Sequence, residues 1–549
     1  MTGLESIDTY LDKFISKIDK SKVLIVFLTT FIVGMIAHGF CYSNVMFAHD
    51  AAEIAFKSPT LMEMLAGSRW TLNAFFSFVG NSQVGWLIGF ITLFIYFIIS
   101  LLLISIFDIK NKMIMSLLSA LIVTGPTTIS SNLYLSSAHA YAGSFLFATL
   151  ALYFIYKGKK YYILAGLFMF LCEGTYAAYI SVTLSFFLVK EIIGLIKNNY
   201  EAKDFKTVFF RHLMVVFLFA ITMIISALLI NLLVADNQSL IQPRTTAALN
   251  GGIQYYITNI IVAIGKVVLD FIDPNRLSFF KYNKLLYILL VIAFVISLAY
   301  YIHRLLKNKN YKHLWIILCL LIDVACLPLA VNIIGVMYYS HSLMWISYLI
   351  PWIFCILVYN TIISNKTFNF IGKVQVVTTI ICIIYTVYSM ILLSNMAYLK
   401  ANNNYEAGLA LANRIVDRIE EIDGYVPGKT PVIFAGDIKE YYSNDIEGFE
   451  ILDSINGVGS PDWDTSFTYG FPFYTYIQQE LKINMNIINY KYGNGINGET
   501  ISHMLKNKYD FTDEECLELI SAVDELSAYP SKECYIIRKG IIIFKLGNY

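Results

Sequence analysis

Few residues of this chain have both the type and the setting to do chemistry, and the densest group lies between 43 and 70. Ser43-Asn44-Val45-Met46-Phe47-Ala48-His49-Asp50-Ala51-Ala52-Glu53 follows directly on an apolar run, and Gly67-Ser68-Arg69-Trp70 comes soon after. Asp50 and Glu53 are three apart, so on a helix they share a face. Two roles suit Asp50. One is a helix N-cap with Glu53 at the third helical position. The other is a general base, beside His49, that takes a proton from an acceptor hydroxyl at a water–lipid boundary. Arg69 offers a fork for phosphate, and Trp70 an amphipathic ring for an interface.

A second group is spread over later segments. Tyr134-Leu135-Ser136-Ser137-Ala138-His139-Ala140-Tyr141 opens one apolar run, and Leu171-Cys172-Glu173-Gly174-Thr175-Tyr176-Ala177-Ala178-Tyr179 joins two others. Glu173 stands among apolar residues, where an ionisable group is costly and faces a cavity or a partner. At 1.5 Å per residue it lies roughly 18 Å from Tyr161. Its alternative is a carboxylate at the interface bonded to backbone amides. Asp323 suits a structural hydrogen-bonded role. Arg244, in Gln242-Pro243-Arg244-Thr245-Thr246, suits a donor phosphate or a lipid headgroup. His341 lies in Tyr338-Tyr339-Ser340-His341-Ser342, whose aromatics are first of all interfacial. No glycine-rich phosphate loop or Walker pattern is present, which argues against an ATP-driven pump, and no Cys/His group has metal-ligand spacing.

The elements that must position these residues follow from composition. The chain has 549 residues, 57% hydrophobic and 14% charged, well under the roughly one quarter charged of a soluble domain. The charge is uneven: residues 1–397 hold 27 Lys/Arg and 16 Asp/Glu, whereas 398–549 hold 13 and 23. This predicts a polytopic α-helical membrane domain, 23–397, after a cytoplasmic amphipathic N-terminus, 1–22, with no signal-cleavage pattern. An acidic domain, 398–549, follows. No basic stripe for nucleic acid exists.

Apolar runs predict about eleven spans, at 23–42, 84–107, 113–127, 138–156, 161–174, 176–196, 209–235, 284–302, 313–333, 342–363 and 374–397. With the N-terminus inside, every inside loop is basic: Lys110 and Lys112, Lys157 to Lys160, Lys197 to Arg211, Arg304 to Lys312, and Lys366 with Lys373. The odd count then puts the tail outside, where it is expected to pack over the mouth of a membrane cavity. Two long outside segments, 43–83 and 236–283, carry helix-like runs (Thr60 to Leu65, Ile253 to Val268) expected at the membrane surface. In the tail, helical patterns at Glu406–Ile422, Phe473–Leu481 and Asp513–Leu526 alternate with strand-like runs at Pro431–Ala435, Cys534–Arg538 and Ile541–Lys545, which predicts an extracytoplasmic α/β domain. Cys516 and Cys534 leave two options there, a disulfide or two thiols.

In their order, the acidic first loop (His49 to Glu53), Gly67-Ser68-Arg69-Trp70, the 134–141 and 173–179 stretches, Ala397–Ile422 and the Pro-Val-Ile-Phe-Ala-Gly run at 431–436 resemble the GtrII-like membrane glucosyltransferases, of the wider GT-C class. The resemblance implies a hexosyltransferase that moves glucose or a related hexose from a polyprenyl-phosphate carrier to a cell-surface glycan outside the plasma membrane. Asp50 then matches the loop-one catalytic acid, Glu53 its companion, and Arg69-Trp70 the end of a Gly-Arg-Trp-like motif, here interrupted by Ser68. Two alanines separate acids that are often adjacent in the family, and Ala177 follows Tyr176 where a glutamine is expected. Arg69 and Arg244 are the donor-phosphate candidates; His49, Trp70, His139, Glu173, Tyr176 and His341 are the substrate-binding ones. The expected partners are the lipid-linked donor, the glycan acceptor and membrane lipid, with a donor-synthesising transferase and a flippase upstream. No cofactor is required by these residues, although two acids could hold a divalent metal. A transporter or flippase for lipid-linked intermediates is the alternative, but it needs no outside domain of this size.

Overall fold

The computed structural model describes residues 19–46, 64–65, 69–80, 84–197, 202–233, 253–281, 283–308, 342–366, 369–436, 476–488 and 498–547, and every structural statement below concerns these. They form two compact units, one within 1–43 and 59–395 and the other within 44–58 and 396–549, so that the chain divides at Asn395–Met396 and also after Ser43. The first is a bundle of apolar helices: α1 (Lys20–Ser43), α2 (Leu72–Phe78), α3 (Gly85–Ile106), α4 (Lys112–Thr124), α5 (Pro126–Leu133), α6 (Leu135–Lys157), α7 (Tyr162–Tyr176), α8 (Ile180–Lys197) and α9 (Ala202–Leu233). The central segment adds α10 (Ile253–Ile272) and α11 (Ser278–Lys281), then come α12 (Lys284–Lys307), a 3-10 segment (Ser342–Leu349), α13 (Ile350–Ser364) and α14 (Phe370–Glu420), which runs on past the division.

Among the described residues, eight helices are long and apolar enough to cross a membrane, or nine if the bent pair α4–α5 is one span. Eleven were expected. The expected span at 313–333 lies outside the described residues. Those at 161–174 and 176–196 share one apolar stretch, Lys159–Gly194, of 36 residues. A straight helix of that length would rise about 54 Å, far more than the roughly 30 Å hydrocarbon core. The chain instead reverses at the 3-10 turn Ala177–Tyr179, where Tyr176 is extended. Contacts with α6 trace the hairpin. Ser144 Oγ lies 3.1 Å from the carbonyls of both Cys172 and Tyr176, whereas Tyr156, toward the other end of α6, donates to the Phe187 carbonyl and to Glu191.

The expected span at 113–127 is also corrected. Asn111 caps α4, accepting from the amides of Met113 and Ile114. The helix then stops at Gly125, because Pro126 disfavours a helical residue before it and has no N–H to give. Pro126 starts α5 at a bend of 40°. All eight residues of α5 are buried although five are polar. Thr128, Ser131 and Asn132 donate to backbone carbonyls.

The ends of the passes segregate. At one end, Asn360 Nδ2 reaches the Asp108 carbonyl, Lys190 donates to the Ile106 carbonyl, and the Tyr301 hydroxyl donates to that of Ile192. This is the end with the basic loops. At the other, Ser394 donates to the Ala37 carbonyl, the Cys41 thiol contacts that of Asn132, and the hydroxyls of Ser181 and Ser347 are 2.6 Å apart.

In the second unit, β1 (Pro431–Ala435), β2 (Asn486–Ile487), β3 (Tyr535–Arg538) and β4 (Ile541–Lys545) form one sheet in the order β2-β1-β4-β3. β1 is parallel to β2 and β4, and β3–β4 is an antiparallel pair. Alternate residues of β1 and β4 face two separate cores, as a strand requires. Val432, Phe434, Ile542 and Phe544 pack on the end of α14, while Ile433, Ala435, Ile541 and Ile543 pack on α15 (Gly498–Tyr509) and α16 (Asp513–Glu525). Thr512 and Glu515 close a capping box on α16. Cys534 belongs to the first core and Cys516 to the second, and both are free thiols. With the sheet between them, the disulfide option is excluded.

Candidate functional site

At the end of the bundle away from the basic loops, residues 69–78 are strapped across α6 and α7. The Thr71 amide donates to the Gly174 carbonyl at 2.8 Å, and its hydroxyl lies 2.6 Å from that of Thr175 and 3.2 Å from the Leu171 carbonyl. Two glycines make the close approach possible. A Cβ on Gly174 would stand 2.1 Å from Trp70 Cε2, and one on Gly143 2.2 Å from Phe75 Cζ. Glycine at both positions therefore lets the two rings lie on helix backbone, and Trp70 also packs on Phe170, centroids 4.4 Å apart.

Four of the expected site residues come together here. The Arg69 guanidinium lies 5.3 Å from the centre of the Tyr176 ring, a cation–π distance. Tyr176 meets Tyr141 edge-on at 5.0 Å and Tyr179 at 5.8 Å. Glu173 is 5% exposed and its Oε2 has no hydrogen-bond partner. Ser226 of α9, likewise buried without a partner, faces it. Trp70 Nε1 and the Tyr179 hydroxyl are also buried and unpartnered. His139 joins through α2: its Nε2 is 2.9 Å from the Phe75 carbonyl, so that nitrogen carries the hydrogen and Nδ1, buried and unpartnered, is an acceptor. Buried polar groups are almost always bonded. A set of them left open, with a carboxylate, an indole N–H, a phenol and an imidazole acceptor, is suited to the hydroxyls of a sugar.

His49, Asp50, Glu53, Arg244 and His341 lie outside the described residues, as does Asp323. No group of three or more potential metal ligands occurs among the described ones. The residue reading overlooked a third cluster, in which buried Asp270 accepts from Arg276 Nε and from the Tyr348 hydroxyl, both at 2.8 Å. The signal was present: Asp270, like Glu173, is an acid in an apolar helix. Tyr141 and Tyr179 were also overlooked as site residues, because aromatics are common in any membrane segment.

A family model described as glucosyl transferase GtrII matches residues 39–359, more than half of the chain. The match includes the 43–70 group, the 134–141 and 173–179 stretches and the central segment. The parts of the resemblance placed at 397–436 lie outside it. Neither the curated proteins nor the solved structures offer a match. The transporter alternative is accordingly not favoured. Matched across the segment that carries these side chains, and built of long apolar helices, the chain belongs to the GtrII glucosyltransferase family, which makes it a membrane glycosyltransferase.

Proposed function

We propose that the enzyme transfers glucose or a related hexose from a polyprenyl-phosphate carrier to a cell-surface glycan at the outer face of the plasma membrane. In this reading the N-terminus is cytoplasmic and residues 398–549 are extracytoplasmic. The supporting observation is buried Glu173, whose Oε2 has no partner among the described residues, on the same helix as Tyr176, which carries Arg69 on its ring, at the end of the bundle opposite the basic loops. A lipid-linked donor carries its own leaving group, so no nucleotide site is needed.

Asp50 acts as the base, with Glu53 as its companion. It takes the proton of the acceptor hydroxyl as that oxygen forms a bond to the anomeric carbon. The bond from that carbon to the phosphate oxygen breaks, and its electron pair stays on the phosphate, where Arg69 and Arg244 stabilise the added charge. A single displacement inverts the anomeric centre. His49, Trp70, His139, Glu173, Tyr176 and His341 hold the sugar and the acceptor. A donor-synthesising transferase and a flippase would supply the substrate.

The test is transfer by purified protein given a polyprenyl-phosphate hexose and a matched acceptor. Asp50→Asn keeps size and most of any capping role, so folding is retained while turnover falls by about 10²–10⁴. Near wild-type turnover by the folded variant would move the base to Glu53 or Glu173.

A further inference from the structure

Tyr156, Tyr287 and Tyr301 donate their hydroxyls to the carbonyls of Phe187, Phe271 and Ile192, the ordinary way to bury a phenol between helices. Tyr42 and Tyr179 do not. Both hydroxyls are buried without a hydrogen-bond partner among the described residues, one at the end of α1 and one in the turn after α7. The thiols beside them are engaged elsewhere, Cys41 on the Asn132 carbonyl and Cys172 with Ser144. A buried hydroxyl with no bond is costly, so two that converge call for an explanation beyond packing.

They converge on Tyr96 of α3. Its hydroxyl is near enough to interact with each of theirs, and it meets the hydroxyls of Thr128 and Ser131 on α5. The backbone makes room for this. The Tyr42 ring lies on Gly89, where a Cβ would stand 2.4 Å from its Cγ, and Tyr96 follows two turns further along the same face of α3. The Phe145 ring links the other two, its centroid 6.4 Å from that of Tyr96 and 6.0 Å from that of Tyr179. Tyr141 and Tyr176 also approach the Tyr179 hydroxyl, and Arg69 lies over the Tyr176 ring. A path of phenols thus leads inward from a cation at the end of the bundle. Such rings offer a hexose flat apolar faces for its C–H groups, and their hydroxyls both donate and accept.

We propose that Tyr42, Tyr96 and Tyr179 form the subsite for the hexose of the lipid-linked donor, with Tyr179 hydrogen-bonding one sugar hydroxyl and setting which hexose is accepted. The inference rests on the donor reading above and deepens it. Two features favour the donor over the acceptor. The subsite is enclosed by α1, α3, α5 and the turn after α7, which suits a single sugar, whereas an acceptor glycan must continue into water. The donor also carries its phosphate directly on the anomeric carbon, and Arg69 stands at the outer end of the phenol path. A site built to bond a sugar hydroxyl rejects the sugar that lacks it, because the buried phenol is then left unpaired.

The experiment measures transfer by the full chain in phosphatidylcholine nanodiscs with one acceptor. The donor is whichever of polyprenyl-phosphate glucose, galactose and mannose is transferred fastest, beside its four monodeoxy analogues. Wild type is expected to lose about 10- to 100-fold in kcat/KM with one analogue in particular. Tyr179→Phe removes only an unpartnered oxygen, so its melting temperature should be kept or raised. It should lower kcat/KM for the intact sugar by the same 10- to 100-fold and leave that one analogue nearly unchanged, so that discrimination collapses at a single ring position. Tyr42→Phe should do the same at another hydroxyl, and the acceptor KM should not move in either variant. Unchanged transfer of the intact sugar by Tyr179→Phe would overturn the subsite. So would an equal loss with all five donors, which is what a purely structural phenol predicts, or a change confined to the acceptor KM. A folded Tyr42→Phe that alters no donor would remove Tyr42 from it. These outcomes leave the donor reading standing, whereas wild-type protein that transfers none of the three hexoses would overturn that reading as well.

Discussion

Glu173 and Glu191 stand at opposite ends of the α7–α8 hairpin and are equally buried, at 5% and 4% exposed. Their surroundings differ. Glu191 Oε1 accepts from Arg211 Nη1 at 3.0 Å and from the Tyr156 hydroxyl at 2.9 Å, and the Arg211 and Lys190 cations both lie over the Tyr156 ring. Each leaves its Oε2 without a partner, but no cation is paired with Glu173 among the described residues. Burying a charge costs several kcal/mol unless it is paired, so Glu191 is explained by the fold and Glu173 is not. A buried carboxylate without a cation among the described residues calls for a partner beyond them.

The contrast can be broken most forcefully at Glu191. Glu191→Gln leaves Arg211 largely buried without its counter-charge and should lower unfolding stability by about 3 kcal/mol, while Glu191→Gln/Arg211→Gln should recover most of it. Thermal unfolding in detergent reads both, and an unaffected single variant would remove the structural role. Glu173→Gln should behave in the opposite way, with stability kept or raised and kcat/KM lowered about 10- to 100-fold, the worth of a hydrogen bond to a charged group. Full activity in a destabilised protein would make the two glutamates alike.

A third carboxylate marks the weak limit. Glu515 is half-exposed, and the Lys539 ammonium at 2.8 Å, together with the Thr512 amide, holds its carboxyl below the ordinary value. A lowered folded-state value means the stabilisation is present above the unfolded value, about 4.3, and is lost as pH falls through the folded one. Lys539→Met should therefore change the melting temperature only slightly at neutral pH, and the difference should vanish in acid. A difference that persisted or grew in acid would contradict the assignment to this pair.

The comparison also separates what local patterns reveal from what they hide. The reversal after Tyr176 and the strands at 431–435 and 541–545 were readable because apolar run length and alternation report directly on burial. The stop at Gly125 was not read, although Gly-Pro is a breaker pair, because the apolar pattern continued to Thr127. Glu173 was singled out by its apolar neighbours, yet Glu191 and Asp270 have similar neighbours and were not. Sequence neighbours say that a charge is buried but not whether it is paired.

Run lengths and the placement of Lys and Arg by themselves determined that this chain is a polytopic membrane protein with most of its basic loops at one end, since hydration of charge and exclusion of apolar surface act residue by residue. The order of short motifs was enough to indicate the family. Pairing was decided only in three dimensions. Arg211 is twenty positions from Glu191, Tyr348 is seventy-eight from Asp270, and Trp70 reaches Gly174 across more than one hundred. Such contacts form when helices distant in sequence pack at particular faces, and no local pattern encodes which faces meet.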